Sequence, residues 1–182
     1  MIKNRSDYKE YLSQELSCTL KGRIFYNPQD KFIKSLRKVE YHYNSKGLWH
    51  KIMLLVAYFR YRKWSMKSGI SISKNCFEKG LSLPHFGSIV VSAACKAGKN
   101  CRIQNNVNIG ASMGGQKAPK IGNNVYIGPG AVLFGDIEIA DNCWIGANAV
   151  VNKSFLESYS VIAGVPAKVI RKETRNWTEV MK

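Results

Sequence analysis

The stretch VYIGPGAVLFGDIEIADNCWIGANAVV, Val125 to Val151, repeats a chemical pattern every six residues. Aliphatic side chains stand at Ile127, Leu133, Ile139, Ile145 and Val151, and a second small or apolar residue follows each by four places: Ala131, Ile137, Cys143, Ala149 and Phe155. Extended toward the N-terminus, the same phase takes in Val91, Ala97, Ile103, Ile109 and Ile121, with Cys95, Cys101, Val107, Met113 and Val125 in the second slot. All twenty slots are hydrophobic in a chain that is 45% hydrophobic overall. Chance alone would give such a run about once in ten million trials.

A period of six is neither the 3.6 of an amphipathic helix nor the plain alternation of a strand. It fits a short strand followed by a turn, stacked as a parallel β-helix in which three hexads close one triangular coil. The residue after each aliphatic slot is mostly small (Gly98, Gly110, Gly122, Gly128, Ala140, Gly146), and Asn105, Asn106, Asn123, Asn124 and Asn142 stand near the turns, where left-handed backbone is tolerated. The sequence therefore predicts a mainly β protein: a left-handed parallel β-helix over 70–170, a helical N-terminal segment over 1–69, and a C-terminal tail over 171–182 with a short helix. Two breaks interrupt the rhythm. Residues 111–119 read as a loop bulging from a corner, and His85 falls where the frame asks for an aliphatic side chain. Such breaks are candidate functional sites.

Before the repeats, helices are expected over Asp7–Leu20, Pro28–Tyr43 and Lys46–Lys67, the first two capped by Ser6 or Asp7 and by Asn27. The net charge of +16 is uneven: residues 1–70 carry 15 Lys and Arg against 5 Asp and Glu. The basic, aromatic Lys46–Lys67 helix has two readings, packing on the solenoid or a neighbouring subunit, and contact with an anionic membrane surface. No recognition motif accompanies the charge, so nucleic acid is not an expected partner. Five scattered cysteines without a C-x-x-C pair, and no apparent export signal, point to a reducing, cytoplasmic setting, with peripheral attachment at the inner membrane face left open. Cys95, Cys101 and Cys143 occupy inward slots and read as small core residues, while Trp144 reads as a contact between subunits.

The repeats together with I-A-G-V-P-A-K-V-I (Ile162–Ile170) resemble the hexapeptide acyltransferases. The motifs L-P-H-F-G-S-I-V-V, V-N-I-G, A-P-K-I-G and Y-I-G-P-G-A between Leu83 and Ala131 resemble their serine acetyltransferase branch. The N-terminal Y-K-E-Y-L and L-R-K-V-E-Y are similar to short members found among surface-polysaccharide biosynthesis enzymes. The resemblance implies a homotrimer with active sites between subunits, acetyl-CoA as co-substrate, no metal, and direct transfer of acetyl to an acceptor hydroxyl. It implies His85 as general base, Pro129, Ala147, Asn152, Lys153, Lys168 and Arg171 as CoA contacts, and Pro84, Gln116 and Lys117 near the acceptor.

Two departures bear on the acceptor. Pro84 stands where serine acetyltransferases carry an aspartate, and Lys117-Ala118 where they carry Arg-His. The loss of that amino-acid clamp leads to the expectation of a carbohydrate acceptor in surface polysaccharide synthesis. Serine O-acetylation in cysteine synthesis is the alternative, and a non-catalytic β-helix scaffold is the reading from another class.

Overall fold

The computed structural model describes residues 1–16 and 27–181. Three helices open it: α1 (Arg5–Glu15), α2 (Pro28–Asn44) and α3 (Leu48–Ser68). Asn4 caps α1 through a bond from the Asp7 amide, so the cap lies ahead of the Ser6 and Asp7 expected. Pro28 opens α2, and Asn27 precedes it, its carbonyl accepting the Lys31 amide while its side chain caps no backbone amide. The expected extension of the first helix to Leu20 lies outside the described residues.

From β1 (Ile70–Ile72) the chain winds into coils whose strands build three faces. The first face stacks β1, β2 (Ile89–Val91), β5 (Asn108–Gly110), β8 (Val132–Phe134) and β11 (Val150–Val151). The second stacks β3 (Lys96–Ala97), β6 (Lys120–Ile121) and β9 (Glu138–Ile139), extended by single bridges at Phe77 and Phe155. The third stacks β4 (Arg102–Ile103), β7 (Tyr126–Ile127), β10 (Trp144–Ile145) and β12 (Ser160–Gly164), and β13 (Ala167–Lys172) folds back antiparallel on β12. All other strand pairs are parallel and in register.

The ten aliphatic slots are all buried, and their stacking fills the triangular interior. Each such side chain removed from water contributes about 1.5–3 kcal/mol. Nine of the ten second slots are buried as well. Met113, the tenth, is fully exposed because it lies in the loop rather than on a coil. Corners demand small residues: a Cβ on Gly128 would lie 2.8 Å from the Ala147 backbone nitrogen of the next coil. Asn100, Asn124 and Asn142 hold left-handed φ of 54° to 61° at successive turns, and their side-chain amides bond in a ladder at 2.9 Å.

The phase of six survives the loop because the loop adds six residues. Val91 to Ile109 and Leu133 to Val151 each take 18 residues, whereas Ile109 to Leu133 takes 24. The tail ends in α4 (Trp177–Val180), whose capping box is built by Asn176 and Glu179. It covers the third face. Trp177 donates to the Asn100 carbonyl at 2.8 Å, and Trp144 donates to the Arg175 carbonyl while lying against Tyr126. The indole expected at a subunit contact is thus held by its own chain.

A buried ionic clasp fastens the helices to the first coil. Arg37, fully buried, donates twice to Glu15 (2.7 and 2.8 Å), once to Glu40 (2.6 Å), and to the carbonyls of Phe77 and Glu78. Glu15 also accepts the amides of Gly80 and Leu81, and Glu40 accepts that of Asn75. Burial pushes the Glu15 carboxyl up, and the Arg37 charge pulls it back.

Candidate active site

The break at His85 has a geometric cause. Leu83, level with Ile103 of the next coil, takes the inward position, and Ile103 reaches its next inward partner, Ile109, in six residues. Leu83 needs eight to reach Val91, and the two extra residues throw Pro84, His85 and Phe86 outward. His85 is exposed at the edge where the third face turns into the first. Three contacts hold this bulge: Gln29 of α2 donates to the Pro84 carbonyl at 3.3 Å, the Gly87 amide donates to Ser68 O at the end of α3, and Gly87 packs on Asn105. Among the described residues, no group hydrogen-bonds the imidazole.

The same edge carries other predicted residues. Pro129 and Ala147 sit at the corresponding turns of later coils, both exposed, and a backbone ladder links the turns: Gly130 N to Asn105 O at 3.0 Å and Asn148 N to Pro129 O at 2.9 Å. Their small side chains leave a track down the edge with no bulky group on it. Lys168 pairs with Ala163 at the end of β12, which brings this exposed ammonium to the foot of the same edge. Such a track with a cation at its end fits an extended pantetheine arm and a phosphate.

The remaining predicted residues lie elsewhere. Gln116 and Lys117 belong to the 111–119 loop, which leaves the opposite margin of the first face, where that face turns into the second. The loop closes on itself through Ser112 N to Lys117 O at 2.8 Å. Asn152 and Lys153 follow β11 on that second edge, exposed, with Lys153 over the Phe155 ring. Arg171 lies three residues from Lys168 along β13, paired with Glu173 at 2.8 Å and away from the track. One chain therefore brings His85, Pro84, Pro129, Ala147 and Lys168 together and keeps Gln116, Lys117, Asn152 and Lys153 on the other edge.

Asp136 was not among the residues singled out from the sequence. It accepts from Lys117 at 2.6 Å across neighbouring coils of the second edge. The bond raises the lysine's pKa and lowers the aspartate's, so both stay charged. Nothing in the repeat marks Asp136 beyond its turn position, because its partner comes from the inserted loop. The four described cysteines, Cys76, Cys95, Cys101 and Cys143, are free and buried, and burial pushes each thiol up, Cys95 most strongly. They are core side chains. Among the described residues no cluster of three or more His, Cys, Asp or Glu could hold a metal ion.

Comparison with known proteins gives these edges a context. The bacterial transferase hexapeptide family (six repeats) matches residues 118–153. Serine acetyltransferases from two strains of Staphylococcus epidermidis are 35% identical over 99 residues, 53% of this chain and 46% of theirs, so the chain spans about half the length of the curated relatives it matches. The serine acetyltransferase of Neisseria gonorrhoeae superposes with a TM-score of 0.77 at 25% identity, covering 98% of this chain and 72% of that one. A serine acetyltransferase solved in complex with CoA gives 0.68 at 26% identity, over 90% of this chain and 66% of the other. The left-handed parallel β-helix predicted from the repeats is the shared fold. The carbohydrate acceptor expected from Pro84 and Lys117-Ala118 is overturned, since the curated relatives and the structural neighbours alike are serine acetyltransferases. Losing the Arg-His pair is too narrow a basis for a different acceptor against that likeness.

Proposed function

We propose, from its likeness to serine acetyltransferases, that this chain is a serine O-acetyltransferase that moves acetyl from acetyl-CoA to the serine hydroxyl, a step toward cysteine. The observation that carries the reading is that exposed His85 shares one edge with the small-residue track of Pro129 and Ala147 and with Lys168.

The chemistry follows from those groups. The His85 imidazole takes the proton from the serine hydroxyl as the oxygen attacks the thioester carbonyl. A tetrahedral oxyanion forms and collapses, the C–S bond breaks, and the imidazolium returns its proton to the departing thiolate. The products are O-acetylserine and CoA. Lys168 binds a phosphate of the donor, and the turns at Pro129 and Ala147 flank its pantetheine arm. In the acceptor's zwitterion, the carboxylate pairs with Lys117 and the ammonium with Asp136, the two replacing one exposed ion pair by two.

The two edges meet if three copies assemble with their first faces toward a common axis. The outward side of that face supports this arrangement, because Val90, Asn108, Val132 and Val150 stand in register along it, three of the four apolar, with half-exposed Phe134 beside them. In such a trimer the His85 edge of one copy abuts the loop edge of the next, so His85 faces the Lys117–Asp136 pair and Asn152-Lys153 of a neighbour. A cytoplasmic location, where acetyl-CoA and serine are both present, belongs to the same proposal. The test is thiol release from acetyl-CoA with L-serine as acceptor. Serine-dependent release, lost in His85→Ala without change of oligomer mass, is the expected result. Release that ignores serine, or that persists in the variant, overturns the reading.

A further inference from the structure

Helix α3 is apolar on both sides, and only one side is accounted for. Ala57, Tyr61 and Ser68 are buried on the side that packs on α2 and reaches β1, where Tyr61 donates to the Ile72 carbonyl at 2.8 Å. The opposite side exposes Leu48, Ile52, Leu55, Phe59 and Met66, each more than half open to solvent, with Trp49 beside them. Their spacing of four, three, four and seven residues makes one continuous stripe along the helix. Solvent-facing apolar side chains aligned in this way mark a docking surface.

The charges beside the stripe identify what docks. Lys51, Arg60, Arg62, Lys63 and Lys67 lie on the same helix, and the sequence holds no Asp or Glu from Tyr41 to Phe77. Among the described residues none of these five cations makes an ion pair. Beside the helix, Lys31, Lys34 and Lys38 of α2 join Arg60 and Tyr8 around a cavity of about 260 Å³. A second copy laid on this stripe would set cations against cations with no carboxylate between them, which is repulsive. Nucleic acid would satisfy the cations and leave six apolar side chains in water. An anionic lipid surface satisfies both: the headgroups take the cations and the acyl boundary takes the stripe. No helix among the described residues is long and apolar enough to cross a membrane, so this one lies in the interface plane.

We propose that α3 seats the protein on an anionic lipid surface, with its Leu55–Phe59 stripe in the acyl boundary and the Lys31, Lys34, Lys38 and Arg60 cavity receiving a lipid phosphate. The proposal is independent of the acetyl acceptor. Flotation of the full chain with phosphatidylcholine vesicles, with and without phosphatidylglycerol, tests it. Binding is expected only with phosphatidylglycerol, weakening roughly fivefold for each cation removed in Arg62→Gln and Lys63→Gln. The exposed-site double variant Leu55→Asp/Phe59→Asp is expected to lose binding while keeping its circular dichroism spectrum and its mass by light scattering. Equal binding to both vesicle types, no binding to either, or retained binding by Leu55→Asp/Phe59→Asp overturns it. A fall in mass in that double variant also overturns it, and assigns the stripe to contact between copies.

Discussion

Replacing Arg37 by Met should release the helical segment from the first coil. The guanidinium makes five hydrogen bonds, two to Glu15, one to Glu40 and two to backbone carbonyls, and it is fully buried with both carboxylates. A thioether of similar length fills the space and supplies no donor, so two buried carboxylates lose their counter-charge. Removing one partner of a buried ionic group costs about 3–5 kcal/mol, a large share of the roughly 5–15 kcal/mol that holds a domain together. Urea titration followed by far-ultraviolet circular dichroism reads the helical signal, and it should show loss of helix at lower urea while the β-helix persists. Activity should fall as well, because Gln29 and the Ser68 carbonyl brace the His85 bulge from that segment. The triple variant Arg37→Met/Glu15→Gln/Glu40→Gln, which removes the unpaired charges, should recover much of the loss. A cost below about 1 kcal/mol for Arg37→Met, or no recovery in the triple variant, would refute the view that the clasp is held by charge compensation.

Lys168→Ala should raise KM for acetyl-CoA by roughly tenfold or more, since it removes a charge-assisted bond to a phosphate. KM for serine should stay unchanged, and steady-state kinetics with each substrate varied separate the two. Asp136→Ala should do the reverse, raising KM for serine while leaving the thermal midpoint where it is, because the Lys117–Asp136 pair is solvent-exposed. Gly128→Ala forces a methyl group against the backbone of the next coil, and a loss of about 1–3 kcal/mol is expected in thermal unfolding. Burial, with Lys38 and His50 nearby, holds the His42 imidazole below its ordinary value of 6.5. The folded state thus prefers neutral His42. The stability this contributes is complete above pH 6.5 and is lost as pH falls from there through the folded value. Urea midpoints measured across that range should drop on acidification, and His42→Gln should flatten the dependence.

Much of this protein was legible in the sequence. The interior of a β-helix admits only one kind of side chain at each stacked level, so burial imposes a period that composition cannot hide, and Ile127, Leu133 and Ile145 all fall where the period puts them. The outward break at His85 was legible for the same reason, since a basic ring cannot occupy a dry stack. The clasp at Arg37 was not, because Glu15 and the Phe77 carbonyl are brought to it from separated parts of the chain, and only Glu40 is a neighbour on its own helix. Nor was the partner of Trp144, which a tail 31 residues later supplies.

The same distinction governs the active site. A period of six determines which residues point inward, and that much the sequence settled alone. Which of three edges a turn occupies depends on how many hexads have actually been laid down, and an insertion of six residues leaves the phase untouched while advancing the count by one. The sequence reads residues 111–119 as a loop, and the folded chain adds which faces flank it, with β5 on the first and β6 on the second. That single step puts Pro129 and Ala147 on the edge of His85, and Lys117 and Lys153 on the other, because strand pairing between coils, not phase along the chain, decides which turns stack.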